Sequence, residues 1–225
     1  MSEVNISIDI NENVYIRDPL QTVLGKKIIS NAIELITEIG FEALTFKKLA
    51  QKMGSTEASI YRYFENKYKL LAYLVAWYWD FMHFMVMMDI RNLKDPKRRL
   101  KQSIATLVNS LNSILTPQYI DQVKLHRLVV ENATKVYHTN EVDQLNKEGY
   151  YINYKKMVKT LSEMVREVDS EFKYPVALAT NIIEQSLNNE YNIIHLPNLT
   201  DEIAAGSNPR EETVEMLEYM IDRVL

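Results

Sequence analysis

The stretch LTFKKLAQKMGSTEASIYRYFENKYKLL, residues 44–71, most narrows what this 225-residue chain can fold into. Thr45 is placed to cap a first helix, its hydroxyl accepting from backbone N–H groups that the first turn leaves unpaired. Leu49, Ala50 and Met53 then fall on one helical face, while Lys47, Lys48, Gln51 and Lys52 cover the other. Gly54 follows the last periodic residue, where a left-handed backbone costs glycine least. Ser55 or Thr56 starts a second helix, with Ala58, Ile60, Tyr61 and Phe64 as its apolar contacts. Helix, glycine turn, short helix is the geometry of a helix-turn-helix.

A net charge of −4 argues on its face against a nucleic-acid partner, but its distribution argues for one. Residues 1–21 carry one basic and four acidic side chains, and residues 71–225 are acidic overall. Residues 22–70 hold eight basic against five acidic side chains. The helix-turn-helix therefore lies in the one net-positive block. With no cysteine, a disulfide framework and a cysteine-ligated metal site are excluded, and a reducing cytoplasm is the expected setting. The first eighteen residues lack the basic-then-apolar pattern of a secretory signal.

Boundary signals divide the rest into helices. Val4, Ile6, Ile8 and Ile10 alternate in an N-terminal arm, residues 1–17, expected to be disordered or weakly extended. Asp18, Pro19 and Gln21 read as N-cap, first helical position and capping-box partner of a helix to Ile39, which Gly40 stops. Ile28, Ile29, Ala32, Ile33, Leu35, Ile36 and Ile39 form its apolar stripe. Asn66 caps a long helix to about Asp89, the most apolar in the chain. It is long enough to span a bilayer, but Asp80 and His83 near its middle point to a buried central helix instead. Further helices are expected over about 95–115, 117–137, 141–168, 175–195 and 209–225. Nine helices and no convincing strand make the fold all-α.

The span from about Lys26 to Trp79 resembles the DNA-binding head of the tetracycline-repressor (TetR) family of bacterial transcriptional regulators. The resemblance rests on KKIISNAIELITEIGFEALTFKKLAQKMG followed by STEASIYRYFENKYKLL: a first helix ending in Gly and an aromatic, the Thr before the second helix, the Leu-Ala pair, the turn glycine, and the closing Tyr-x-Tyr-Phe-x-x-Lys. It implies a three-helix DNA-binding head over 18–66. It also implies a C-terminal body over 67–225 that binds an effector and dimerises. In such a body the last two long helices, 175–195 and 209–225, pair with those of a second copy. Val176, Leu178, Ala179, Ile182, Ile183 and Leu187, with Val214, Leu217, Tyr219, Met220 and Ile221, would supply the apolar surfaces.

Carried over by position, the resemblance assigns DNA contacts to the start of the second helix, Ser55, Thr56, Glu57, Ala58 and Ser59, and to Arg62. Glu57 can accept from cytosine N4, Ala58 can touch a thymine methyl, and Arg62 can reach guanine or phosphate. As a carboxylate, Glu57 can instead serve the helix dipole. Lys47 resembles a further contact, and Thr45, Tyr61, Tyr63 and Lys67 resemble phosphate contacts, with the alternative that one of the two tyrosines packs in the head. The implied function is a repressor that binds a palindromic operator as a dimer and is relieved by a small molecule. Trp77, His83, Phe84, Met87, His126 and Tyr154 are candidate pocket residues; at helical spacing such side chains also serve as plain core.

Catalysis has little to stand on. There is no glycine-rich phosphate loop or nucleophile elbow, and the histidines at 83, 126, 138 and 195 are too scattered for a helical metal motif. Neither cofactor, metal nor membrane partner is expected. The alternative kept open is a constitutive or protein-controlled regulator whose body binds no small molecule.

Overall fold

The structure, a computed structural model, describes residues 8–109, 111, 113, 115–201 and 206–225. Every regular element among them is helical: α1 (Val23–Ile39), α2 (Phe46–Met53), α3 (Glu57–Tyr61), α4 (Lys67–Ile90), α5 (Pro96–Asn109), α6 (Gln122–Tyr137), α7 (Val142–Lys147), α8 (Ile152–Val168), α9 (Pro175–His195) and α10 (Pro209–Val224), with three short 3-10 turns.

The chain divides into two compact units, Met1–Asp80 with Leu111–Tyr154, and Phe81–Ser110 with Lys155–Leu225. Helices α4 and α8 each contribute to both. In the first unit, the expected stripe of α1 is buried except at Ile39, which is 39% exposed. It packs against α2 and α6. Each fully buried Leu or Ile of that stripe contributes roughly 1.5–3 kcal/mol, which a head of some fifty residues cannot collect without α6 and α4. In the second unit α5, α9 and α10 pack together. Asn189 Nδ2 there donates to Thr213 Oγ1 at 2.9 Å, both side chains being buried.

Boundaries differ from expectation at four places. Asp18 caps a 3-10 turn, Pro19–Gln21, whereas Thr22 caps α1 by accepting from the Gly25 N–H at 2.9 Å. Helix α5 ends at Asn109, short of residue 115. Thr116-Pro117 opens a turn, with the Ile120 N–H on Pro117 O, and the cap of α6 passes to Asp121. The long segment 141–168 is two helices, because Gly149 at φ +83° takes the chain through a left-handed turn.

The arm is the largest departure. Its first seven residues lie outside the described ones. Residues 8–17 are packed into the first unit, with Val14 fully buried and Ile10 7% exposed. Helix α4 is the one described helix long and apolar enough to cross a membrane, yet 83% of its most apolar window is buried inside the protein. Asp80 within it accepts from the Asp9 N–H at 3.0 Å and from Asn153 Nδ2 at 3.1 Å.

Candidate nucleic-acid interface

The helix-turn-helix is built from local caps. Thr45 Oγ1 accepts from the Lys48 N–H at 3.2 Å and starts α2. Gly54, at φ +63° and ψ 42°, ends it. The N–H groups of Gly54 and Ser55 close back onto Gln51 O and Ala50 O, so the turn satisfies its own backbone. Thr56 Oγ1 then accepts from the Ser59 N–H and starts α3. At five residues α3 is too short to persist by itself, so its place depends on what it packs against. Buried Ile60, Phe64 and Leu49 supply that packing.

The side chains expected to meet DNA separate into two groups. Thr45, Lys47, Thr56, Glu57, Ala58, Tyr61 and Arg62 are exposed. The side chains of Lys47 and Arg62 make no hydrogen bond or ion pair among the described residues, which leaves two unspent cations on α2 and just beyond α3. Tyr61 lies edge-on against Phe46, ring centres 4.9 Å apart, with its ring 49% exposed. Glu57 occupies the first turn of α3, where a carboxylate favours the helix dipole.

The second group is engaged within the protein. Tyr63 is 2% exposed, and its hydroxyl lies 2.8 Å from Thr22 Oγ1. The phosphate role expected for Tyr63 does not fit that burial; it is the tyrosine of the pair that packs in the head. Lys67 Nζ donates to Phe41 O at 3.3 Å and Glu42 O at 3.0 Å, and lies 4.8 Å from the Phe41 ring centre. It holds the end of the α1–α2 corner. Ser59 Oγ donates to Thr56 O at 2.6 Å and lies 2.8 Å from Ser55 Oγ, so both serines serve the turn.

Neighbouring cations are spent in the same way. Lys27 Nζ donates to Met53 O, Lys48 Nζ to Ala43 O, and Lys52 pairs with Glu38 at 2.7 Å and Glu34 at 3.4 Å. One cation escaped the sequence reading. Arg17 lies over the Tyr63 ring, 5.6 Å from its centre, beside the end of α3. Its only signal was being the lone basic residue of an acidic segment.

The effector candidates fall into both units. In the first, Trp77 is fully buried and His126 Nδ1 lies 2.9 Å from the buried Tyr78 hydroxyl. Burial pushes the Tyr78 phenol well above its ordinary range, so it stays protonated. Tyr154 stacks on Tyr137, ring centres 5.2 Å apart, and lies 4.9 Å from Trp79, whose Nε1 donates to the Tyr137 hydroxyl at 2.9 Å. In the second unit His83 Nε2 lies 2.9 Å from Thr160 Oγ1, Phe84 is half-buried and Met87 is 43% exposed. An open groove along α10, edged by Glu211, Glu215, Glu218 and Asp222, involves none of the six.

The family model for bacterial regulatory proteins of the tetR family matches residues 28–74. No curated protein sequence matches the chain. Among solved structures, a tetR-family regulatory protein from Rhodococcus RHA1 is similar with a TM-score of 0.63 at 14% identity, over 90% of this chain and 97% of that one. AibR, solved with isovaleryl coenzyme A and operator DNA, gives 0.59 at 17% identity, over 86% and 95%. The ketosteroid transcriptional regulator KstR2 of Mycobacterium tuberculosis gives 0.58 at 10% identity, over 98% of both. At these identities the likenesses carry the fold of the whole chain, while the family model carries the head. With its capped helix-turn-helix inside the matched stretch, the chain carries the DNA-binding head of tetR-family bacterial regulatory proteins on a helical body with the fold of these solved structures, which supports a DNA-binding transcriptional regulator.

Proposed function

We propose that this regulator is a repressor that binds a palindromic operator as a homodimer and is released by a small-molecule effector. The observation that carries the reading is the exposed face of α2 and α3. There Lys47 and Arg62 are left without internal partners while Lys27, Lys48, Lys52 and Lys67 are all engaged. Arg62 reads a base edge or a phosphate, Lys47 and Tyr61 contact phosphates, and Ala58 and Glu57 meet the groove.

Dimerisation is supported by the distribution of apolar surface. Among the described residues, nine of the seventeen large hydrophobic side chains that stay exposed lie between Tyr174 and Val224, on α9, α10 and the segments flanking α9. Val176, Tyr191, Tyr219 and Met220 are among them, whereas Ala179, Ile182, Ile183, Leu187, Leu217 and Ile221 are used within the chain. Large apolar side chains left exposed on two packed helices are what a protein contact would cover. Effector control is supported by AibR, a protein of the same fold whose structure holds both a ligand and operator DNA. Trp77, His126 and Tyr154, or His83, Phe84 and Met87, are the side chains on which such a ligand would act. Nothing in the reading calls for catalysis, a cofactor or a membrane.

The test is selection of bound duplexes from a random-sequence pool, followed by anisotropy titrations over a range of salt. Selected sequences should be palindromic, and affinity should fall steeply with salt because each phosphate contact releases counterions. Arg62→Ala should weaken binding about tenfold, the size of a lost base or phosphate contact. Salt-insensitive binding, or an Arg62→Ala variant that binds like the parent, would overturn the assignment of this face.

A further inference from the structure

Residues 8–17 are held by a set of bonds directed at their main chain. At one end, Asn153 Nδ2 donates to Asp9 O at 2.7 Å and to Asp80 Oδ1 at 3.1 Å, while the Asp9 N–H donates to Asp80 Oδ2 at 3.0 Å. In the middle, Asn13 O accepts from the Tyr150 hydroxyl at 2.7 Å and from Lys69 Nζ at 3.2 Å, and Asn13 Nδ2 donates to Glu148 O at 2.9 Å. At the other end the Ile16 N–H donates to Tyr63 O at 2.8 Å, two residues beyond α3. Between these points Val14 is fully buried, and Tyr15 lies edge-on against Tyr73 with ring centres 5.9 Å apart.

Three features separate this arrangement from ordinary packing of a chain end. Asp80 and Asn153 are buried polar side chains, costly to place there unless their bonds are made, and besides bonding each other both bond the backbone of this segment. The segment ends on the carbonyl that follows the recognition helix. That helix, five residues long, takes its position from its neighbours.

We propose that residues 8–17 are a strap that sets the position of α3, with Asn153 and Tyr150 as positioning residues for operator binding although neither lies on the DNA-facing surface. The proposal rests on the DNA-binding reading of α2 and α3. Releasing the strap at its Asn153 anchor frees Tyr63 O and lets α3 sample positions that do not fit the groove, so affinity falls with the fraction of competent molecules.

The experiment uses the full chain and the variants Asn153→Ala, Tyr150→Phe and their double. Amide hydrogen exchange follows Ile16 and residues 57–61, anisotropy follows binding to a duplex selected from a random pool, and thermal unfolding follows stability. Tyr150→Phe keeps the ring and guards against a variant that fails to fold. Exchange at Ile16 and α3 should quicken about tenfold in the double variant, and affinity should fall about three- to tenfold while Tm moves by only a few degrees. Quicker exchange at Ile16 with α3 exchange and affinity unchanged would overturn the proposal. If the parent selects no DNA, it is the DNA-binding reading that fails. The strap is then decided by α3 exchange alone, faster supporting it and unchanged overturning it.

Discussion

The hydroxyl of Tyr63 lies 2.8 Å from Thr22 Oγ1, the same oxygen that caps α1 by accepting from the Gly25 N–H at 2.9 Å. One threonine therefore joins the start of α1 to the chain just beyond α3. Tyr63→Phe removes this link without opening a cavity and should cost about 1 kcal/mol, the net worth of a typical hydrogen bond. Thermal or denaturant unfolding measures it. Affinity for DNA should stay close to the parent's, in contrast to Arg62→Ala.

Tyr73 offers the opposite case. Its buried hydroxyl meets no hydrogen-bond partner among the described residues, and burial pushes the phenol far above its ordinary range. Tyr73→Phe should stabilise the protein by about 1 kcal/mol, because the cost of an unsatisfied buried hydroxyl disappears while the ring contacts to Phe64 and Tyr15 remain. A lower denaturation midpoint would contradict this.

Glu42 and Lys135 connect the α1–α2 corner to α6 at 2.9 Å. The Lys135 hydrogen bond, then its charge, holds the Glu42 carboxyl below its ordinary range. A lowered carboxyl favours the folded state above its unfolded pKa and loses that contribution as pH falls through the folded value. The Glu42 titration followed by NMR should therefore move back up to the ordinary carboxylate range in Lys135→Met. Any dependence of this contact on pH should be confined to acid conditions.

Between α9 and α10 the Asn189–Thr213 bond is buried. Thr213→Val leaves the Asn189 amide without that acceptor at nearly constant volume. It should cost about 1–3 kcal/mol, more than a solvent-exposed hydrogen bond would. On the exposed side of the same helices, Tyr219→Asp with Met220→Lys should yield monomers in sedimentation at micromolar concentration while leaving the helical signal unchanged. A parent protein that is itself monomeric there would count against the dimer.

Most of the head was legible because its signals are short-range. Thr45, Gly54 and Asn66 each act within three or four residues, and the α1 stripe shows in its periodicity. The strap was not legible, since Asp9 and Asn153 are 144 residues apart and the bonds run to main-chain atoms that carry no side-chain signature. Gly149 carries no clear signal in the sequence, because a single glycine inside an apolar-periodic segment is compatible with one helix, and only its positive φ reveals two. Tyr61 and Tyr63 could not be told apart by composition: α3 ends at Tyr61, and the turn after it directs Tyr63 inward.

The first unit draws on residues up to 80 and then on 111–154. A nascent chain whose helix-turn-helix has already left the ribosome still lacks α6, Tyr150 and Asn153. Some ninety further residues must be made before the last of these partners emerges. Until then the basic block that holds the helix-turn-helix rests on an incomplete core. Arrest-peptide force profiles along the chain should therefore show the main folding event of this unit only after residue 154 clears the exit tunnel, and none when residue 70 has just cleared it.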